Sequence, residues 1–158
     1  MSLKDSVSEA VKDFETLFKL LNEDRKSGVG RSFRARCREL PSLIEDIGFV
    51  PAMTFCYAKS SDDTYQKVRN CFQQRSSIDK QDEIKKGYAI YLYLILKRLK
   101  DLGLINDNHV EEPLNAFKAL QGSKARVAGR LVRTYALQLK KLSEAVFEPG
   151  ENVVDSMG

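Results

Sequence analysis

The run Tyr88–Leu96 carries aliphatic and aromatic side chains without a single charge, and no other stretch constrains the fold as strongly. It sits inside a longer pattern. Ile84, Tyr88, Tyr91, Leu92, Ile95, Leu99 and Leu102 recur at steps of three and four, the period of a helix rather than a strand. Asp79 or Asp82 opens this predicted helix and Gly103 stops it. The run is well short of the ~18 apolar residues that would suggest a membrane span. A helix that is apolar nearly all round must be enclosed by other elements. The segment is therefore expected to be the spine of a soluble core.

The remaining segments supply the enclosure, and all of them read as helices. Val7, Val11, Phe14, Leu17, Phe18 and Leu21 form the stripe of a first helix over Asp5–Asn22. Arg25–Gly30 reads as a basic linker, because its Gly28 and Gly30 are not followed by the Lys-Ser/Thr of a phosphate loop. A second helix follows, with Phe33, Cys37, Leu40, Leu43, Ile44 and Ile47 on one side. Its apolar phase survives Pro41, which predicts a kink or two abutting helices. Gly48 is its expected C-cap. Pro51–Ala58 predicts a short central helix, and Ser60–Asp63 caps another that reaches Gln74. A weaker helix containing Pro113 is expected over Asn106–Leu120, and a last one over Ser123–Phe147, where Ala128, Leu131, Val132, Tyr135, Leu139, Leu142 and Val146 face inward. Period-two alternation is missing. The fold class is thus all-α: a compact single-domain bundle of six to seven helices over residues 1–150, with 151–158 as a flexible tail.

Composition bounds the function. With 158 residues, 42% hydrophobic, the chain can bury one proper core. The acidic, amphipathic N-terminal helix is not a secretion signal, so a cytoplasmic location with no membrane partner is expected. Cys37, Cys56 and Cys71 are too few and too scattered for a disulfide framework. Cys37 and Cys56 stand in apolar settings and read as core residues.

Charge is where the chain departs from a bland helical bundle. The net charge of +4 is a sum over unlike segments. Residues 1–24 hold three Lys against six Asp and Glu. Between Arg25 and Arg38 there are six basic residues and no acid, and between Lys124 and Lys141 six again and none. At about 100° per residue, Arg31, Arg34 and Arg38 share a ~60° sector opposite the apolar face of the second helix. Arg126, Arg130, Arg133 and Lys140 run opposite the apolar face of the last helix. One such row is more often a solvated face than a binding site. Two rows, each free of acids, are the charge pattern of a polyanion surface. Arginine suits that role because its planar fork of donors matches phosphate. If the two rows lie side by side, they form one continuous basic surface.

Catalytic signals are missing. His109 is the lone histidine, in a polar stretch, and reads as a surface residue. No second histidine or close cysteine pair offers a zinc ligand set. Asp62–Asp63 and Glu111–Glu112 are adjacent acids at expected helix starts, where they favour the helix dipole. Side by side on a helix they would not face each other. Neither a catalytic residue, a metal site nor a cofactor is expected. Tyr88, Tyr91 and Tyr93 read as core rather than as base-stacking platforms.

The order of motifs carries a resemblance. A basic helix leads into Glu39-Leu40-Pro41-Ser42-Leu43-Ile44, then Ile47-Gly48-Phe49, then Ala52-Met53-Thr54-Phe55-Cys56-Tyr57-Ala58-Lys59. This resembles the small all-helical subunit of type III CRISPR effector complexes, the fifth Cmr subunit family, or a related CRISPR small subunit. The last helix, Arg130–Phe147, is similar to that family's C-terminal helix, although Leu139-Lys140-Lys141-Leu142 stands where a Trp is frequent. Phe49 and Val50 stand where a Leu is usual. The resemblance implies a non-catalytic subunit that stacks with copies of itself beside the backbone subunits. It implies basic surface presented to the backbone of guide (crRNA) and target RNA, in antiviral defense. It adds Lys59, at the end of the apolar motif, to the expected nucleic-acid-binding set of Arg31, Arg34, Arg38, Arg126, Arg130, Arg133 and Lys140. The rival readings are a protein–protein adaptor whose basic faces meet an acidic partner, and an enzyme of another class.

Overall fold

The structure, a computed structural model, describes residues 3–150, and side-chain surroundings from residue 5. The expected tail at 151–158 lies outside the described residues. Eight helices and no strand occur among the described residues: α1 (Leu3–Leu20), α2 (Gly28–Ile47), α3 (Phe49–Ser60), α4 (Asp62–Gln74), α5 (Glu83–Asp101), α6 (Asp107–Glu111), α7 (Pro113–Ala119) and α8 (Ser123–Val146). None of them is long and apolar enough to cross a membrane. One helix beyond the upper expected count arises at Pro113. A proline cannot continue the preceding turn, and it opens α7 at its first position instead.

Helix α5 is the hub. It packs against α2, α3, α4, α6 and α8, and every residue from Lys86 to Leu96 is buried. Each tyrosine of the apolar run finds an aromatic partner on a different helix. Tyr88 meets Phe55 of α3 edge-on at 5.8 Å, Tyr91 meets Phe33 of α2 at 6.5 Å, and Tyr93 stacks on Phe72 of α4 at 4.8 Å. Such pairs add about 0.5–1.5 kcal/mol each beyond area burial. Ile84 is the exception to the expected stripe. It is 66% exposed, because α5 begins at Glu83 and its first turn lies outside the surrounding ring.

Two glycines expected in a linker belong instead to α2. Ser27 caps that helix, its hydroxyl accepting from the Gly30 N–H at 3.0 Å. Gly28 sits against the Glu83 carboxylate and Gly30 against the Phe147 ring, so closely that a Cβ would collide at either place. Gly87 of α5 faces α2 in the same way, where a Cβ would stand 2.8 Å from a backbone carbon of Ser32. Gly87 lets α2 and α5 approach at backbone distance, while Gly28 and Gly30 make room for side chains. Helix α2 runs on through Pro41 and ends at Gly48, whose φ of 96° suits glycine alone and whose N–H bonds to Ile44 O at 2.8 Å. Ile47, expected on the core side, is 48% exposed in this last turn.

The stripe of α1 is rotated from expectation. Ala10, Phe14, Leu17, Leu20 and Leu21 are buried, whereas Val7 and Val11 are exposed. Polar groups account for the shift. Ser6 and Asp13 are buried because α5 and α8 bring partners to them. The Arg98 guanidinium donates to Ser6 Oγ at 2.9 Å, Tyr135 Oη donates to Asp13 at 2.6 Å, and Lys97 Nζ lies 3.2 Å from Asp13 and 3.1 Å from Asp101. Leu131, expected inside α8, is 37% exposed. Helix α3 extends from Phe49 to Ser60 and buries Ala52, Met53 and Cys56, while Thr54 and Ala58 reach solvent.

Candidate nucleic-acid interface

Helices α2 and α8 carry the basic rows, and they pack against each other. Their register is antiparallel. Gly30 lies beside Phe147, Arg38 beside Glu144, Glu45 beside Arg133, and Gly129 beside Ile44 and Phe49. The rows are therefore neighbours, but their basic ends point opposite ways. The outward face of α2 starts basic, with Arg31, Arg34 and Arg38, and ends acidic, with Glu45 and Asp46. The outward face of α8 starts basic, with Lys124, Arg126, Arg130 and Arg133, and reaches Glu144 near its end. The start of the α8 row thus abuts the acidic end of α2, whereas the α2 row meets Glu144 together with Lys140 and Lys141 of α8.

The consequence is visible in the pairs. Arg38 Nε lies 3.7 Å from Glu144, and Arg133 Nη2 donates to Glu45 at 3.0 Å. One continuous basic surface, expected if the rows met, does not form. Between the two rows lie these ion pairs, Lys140, Lys141 and Leu137, the last 43% exposed. Two basic patches remain. One holds Arg31 and Arg34 at the start of α2. The other holds Arg126 and Arg130 at the start of α8. At 1.5 Å per residue, and with Glu45 and Arg133 at one level, Arg31 and Arg126 stand on the order of 30 Å apart along the pair.

Exposure also separates the candidates. Arg126, Arg130 and Arg133 are exposed, as is Arg38. Arg31, Arg34 and Lys140 are only half-exposed, and Arg34 Nε is buried without a hydrogen-bond partner. Arg31, Arg126, Arg130 and Lys140 have no ion-pair partner among the described residues. Lys59 is exposed on α3, with its ammonium 5.6 Å from the Phe55 ring.

One basic residue escaped the helical-wheel reading. Arg36 lies outside the sector of Arg31, Arg34 and Arg38, and its guanidinium stands 4.3 Å over the Tyr88 ring. Its Nε is 3.3 Å from Glu39 but not aligned for a hydrogen bond, while Tyr88 Oη donates to Glu39 at 2.9 Å. Burial pushes the Tyr88 hydroxyl up to about 12, with Arg36 opposing and Glu39 adding to the shift. Arg36, Tyr88, Phe55 and Lys59 form a chain from α2 through α5 to α3, two paired rings with a cation at each end. The i,i+3 spacing of Arg36 and Glu39 was its visible sign in sequence; the tyrosine partner, from α5, was not.

The groups considered for chemistry have structural occupations. His109 Nδ1 accepts from the Asn106 N–H at 3.0 Å, while the His109 N–H donates to Asn106 Oδ1 at 3.3 Å, closing a capping box at α6. Asp62 and Asp63 occupy the first turn of α4, after the Ser61 cap. Asp62 accepts from Tyr57 and from Gln66, and Asp63 pairs with Lys67 at 3.2 Å. Glu112 precedes α7 without capping it through its side chain. Burial pushes the Cys37 and Cys56 thiols far up, so both stay protonated at neutral pH. Among the described residues no group of three or more His, Cys, Asp or Glu could hold a metal ion. A cleft of about 530 Å³ between α1 and α5 is lined by three acids (Asp5, Glu9, Asp101), three bases (Lys12, Lys97, Arg98) and Ser8, a balance that selects neither anion nor cation.

The comparisons with known proteins agree on one family. The model of the CRISPR-associated protein family Cas_Cmr5 matches residues 9–146. A curated relative, the CRISPR system CMR subunit Cmr5 of Saccharolobus solfataricus, is 24% identical over 147 residues, covering 88% of this chain and 91% of the relative. Among solved structures, a chain of the type III-B Cmr-beta complex bound to cognate target RNA and AMPPnP superposes with a TM-score of 0.80 at 25% identity, covering 94% of this chain and all of that one. A chain of Cmr-beta bound to non-cognate target RNA gives 0.79 at 25% identity, covering 92% and 97%.

Proposed function

The chain belongs to the Cas_Cmr5 family of CRISPR-associated proteins, and from that premise we propose that it is a non-catalytic small subunit of a type III-B Cmr ribonucleoprotein. It stacks with copies of itself beside the backbone subunits, in the cytoplasm, and contacts the backbone of target or guide RNA in antiviral defense. The observation that carries this reading is the likeness, over 94% of the chain, to a chain of a Cmr complex solved with target RNA. The RNA contact itself draws support from the patch of Arg126 and Arg130, exposed and without an ion-pair partner among the described residues. Arg31 and Arg34 form the second candidate patch. Lys59 and Lys140 are secondary, the first beside a ring and the second half-buried. Contacts of this kind fix position and affinity without reading sequence, which base pairing with the guide supplies.

The test is an assembled complex carrying Arg126→Glu and Arg130→Glu. Incorporation of the subunit should be unchanged. Target-RNA affinity should fall equally for all sequences, and the salt slope should shrink by roughly one unit per lost phosphate contact. Failure to assemble, with RNA affinity per assembled complex unaltered, would favour the adaptor reading instead.

A further inference from the structure

We propose that Glu45 and Glu144 limit the affinity of the basic face, each withholding one arginine from a nucleic-acid backbone. The inference rests on the RNA-contact reading above. Side-chain exposure is 73% and 68% for Arg133 and Glu45, and 55% and 35% for Arg38 and Glu144. Ion pairs this open to solvent contribute little to folding, commonly 0–1 kcal/mol. The fold therefore gives no strong reason for an acid at either place. The electrostatic consequence is larger. A carboxylate at 3.0 Å occupies one arm of the Arg133 fork, and any phosphate approaching that arginine must displace it or meet its charge. The same holds more weakly at Arg38, where the separation is 3.7 Å.

The arrangement is reciprocal. The α2 row is attenuated by an acid from α8, and the α8 row by an acid from α2. Both acids lie towards the C-terminal ends of their helices, and the antiparallel register carries each to the other's arginines. Every unmasked arginine would add another salt-dependent phosphate contact, so the two acids hold the affinity of the face below what its arginines alone would give. Helix α2 also ends with Asp46, beside Glu45 in sequence and exposed. The end of α2 beside Arg133 is thus acidic.

The experiment replaces Glu45→Gln and Glu144→Gln, singly and together, in the full chain within the assembled complex. Target-RNA affinity is measured across a salt series. The double variant should bind roughly three- to ten-fold more tightly at low salt, for any RNA sequence, with a slope steeper by about one to two units. Glu45→Gln should carry the larger share, since its arginine is held more closely. Adding Arg133→Gln to Glu45→Gln should abolish that gain, a result that a merely structural role for the pair would not produce. Unchanged affinity and slope in the glutamine variants, while Arg126→Glu with Arg130→Glu weakens binding, would overturn the attenuation and leave the RNA reading standing. If Arg126→Glu with Arg130→Glu has no effect on RNA, the reading fails and the attenuation with it. Loss of subunit incorporation in the glutamine variants would assign the acids to assembly and overturn the proposal.

Discussion

Helix α5 and the α2–α8 face are both helix surfaces with strong one-dimensional patterns, yet they differ in how far those patterns carry. Along α5 the pattern and the outcome coincide. An uncharged apolar run has one environment available to it, and the structure buries it on every side. On the α2–α8 face, two acid-free basic stretches describe each helix correctly and describe the surface wrongly. Burial is decided largely by the helix's own residues. A surface potential is a sum over neighbours, and here the antiparallel neighbour sets Glu45 beside Arg133 and Glu144 beside Arg38.

The largest expected effect lies in α5. Leu99 is fully buried. Leu99→Asp places an unpaired carboxylate there and should cost several kcal/mol, about 3–5 on the scale of uncompensated buried charge. A chemical-denaturation midpoint unmoved by this change would break the claim that α5 is the hub. Next comes the seam between α5 and α2. Gly87→Ala forces its new methyl against Ser32, including a backbone carbon at 2.8 Å, so a helix must shift rather than a side chain. An overpacking cost of about 1–3 kcal/mol is expected, read from thermal unfolding. A neutral result would show that α2 and α5 are held less closely than described.

That glycine marks the limit of what the sequence disclosed. Most helix positions, the boundaries at Ser60–Asp63 and Gly48 and the central place of Tyr88–Leu96 followed from periodicity and capping, which are local. Gly28 and Gly30 looked like a linker because glycine in a basic stretch has no local reason to be helical; their reason is Glu83 and Phe147, far along the chain. The rotated stripe of α1 has the same origin. Ser6 and Asp13 are buried only because Arg98, Lys97 and Tyr135 reach them. Among the candidate site residues, type and approximate face were legible for Arg126 and Arg130. The capture of Arg133 and Arg38 by acids on the other helix was not, since it needs the register of two helices about a hundred residues apart.

The core should also announce itself in alkali. All six tyrosines, Tyr57, Tyr65, Tyr88, Tyr91, Tyr93 and Tyr135, have hydroxyls pushed above their ordinary value, in each case chiefly by burial. A raised folded-state pKa means that the unfolded chain ionises first, so this contribution is intact below about pH 10 and is lost as pH rises beyond it. Lys97 acts in the same direction. Burial lowers it, but Asp13 and Asp101 outweigh burial and raise it, so its stabilising charge is lost as pH climbs through the raised value. Absorbance at the tyrosinate band should therefore stay flat past pH 10 and then rise together with unfolding. Gradual, independent ionisation beginning near pH 10 would show that the rings of α5 are more open to water than α2, α3 and α4 leave them.

The smallest stability effects, and the sharpest test of the contrast, belong to the two arginine sets. Arg126 and Arg130 are exposed and make no ion pair among the described residues. Replacing both with Gln should alter stability by no more than about 0.5 kcal/mol, the usual range for such surface sites. Arg31 and Arg34 are half-buried, and Arg34 has a buried Nε, so the same pair of changes in α2 loses packing along the arginine stems as well as charge. It should cost about 1 kcal/mol more. Melting curves for the two double variants, taken beside their RNA affinities in the assembled complex, separate the roles. If the α8 pair lowers affinity with stability untouched, that patch is surface held for a partner. If the α2 pair lowers stability and leaves affinity alone, its arginines serve the fold, and RNA contact narrows to the start of α8. Equal stability losses from both pairs would mean that burial does not distinguish the two rows, and the contrast between core pattern and surface pattern would have to be redrawn.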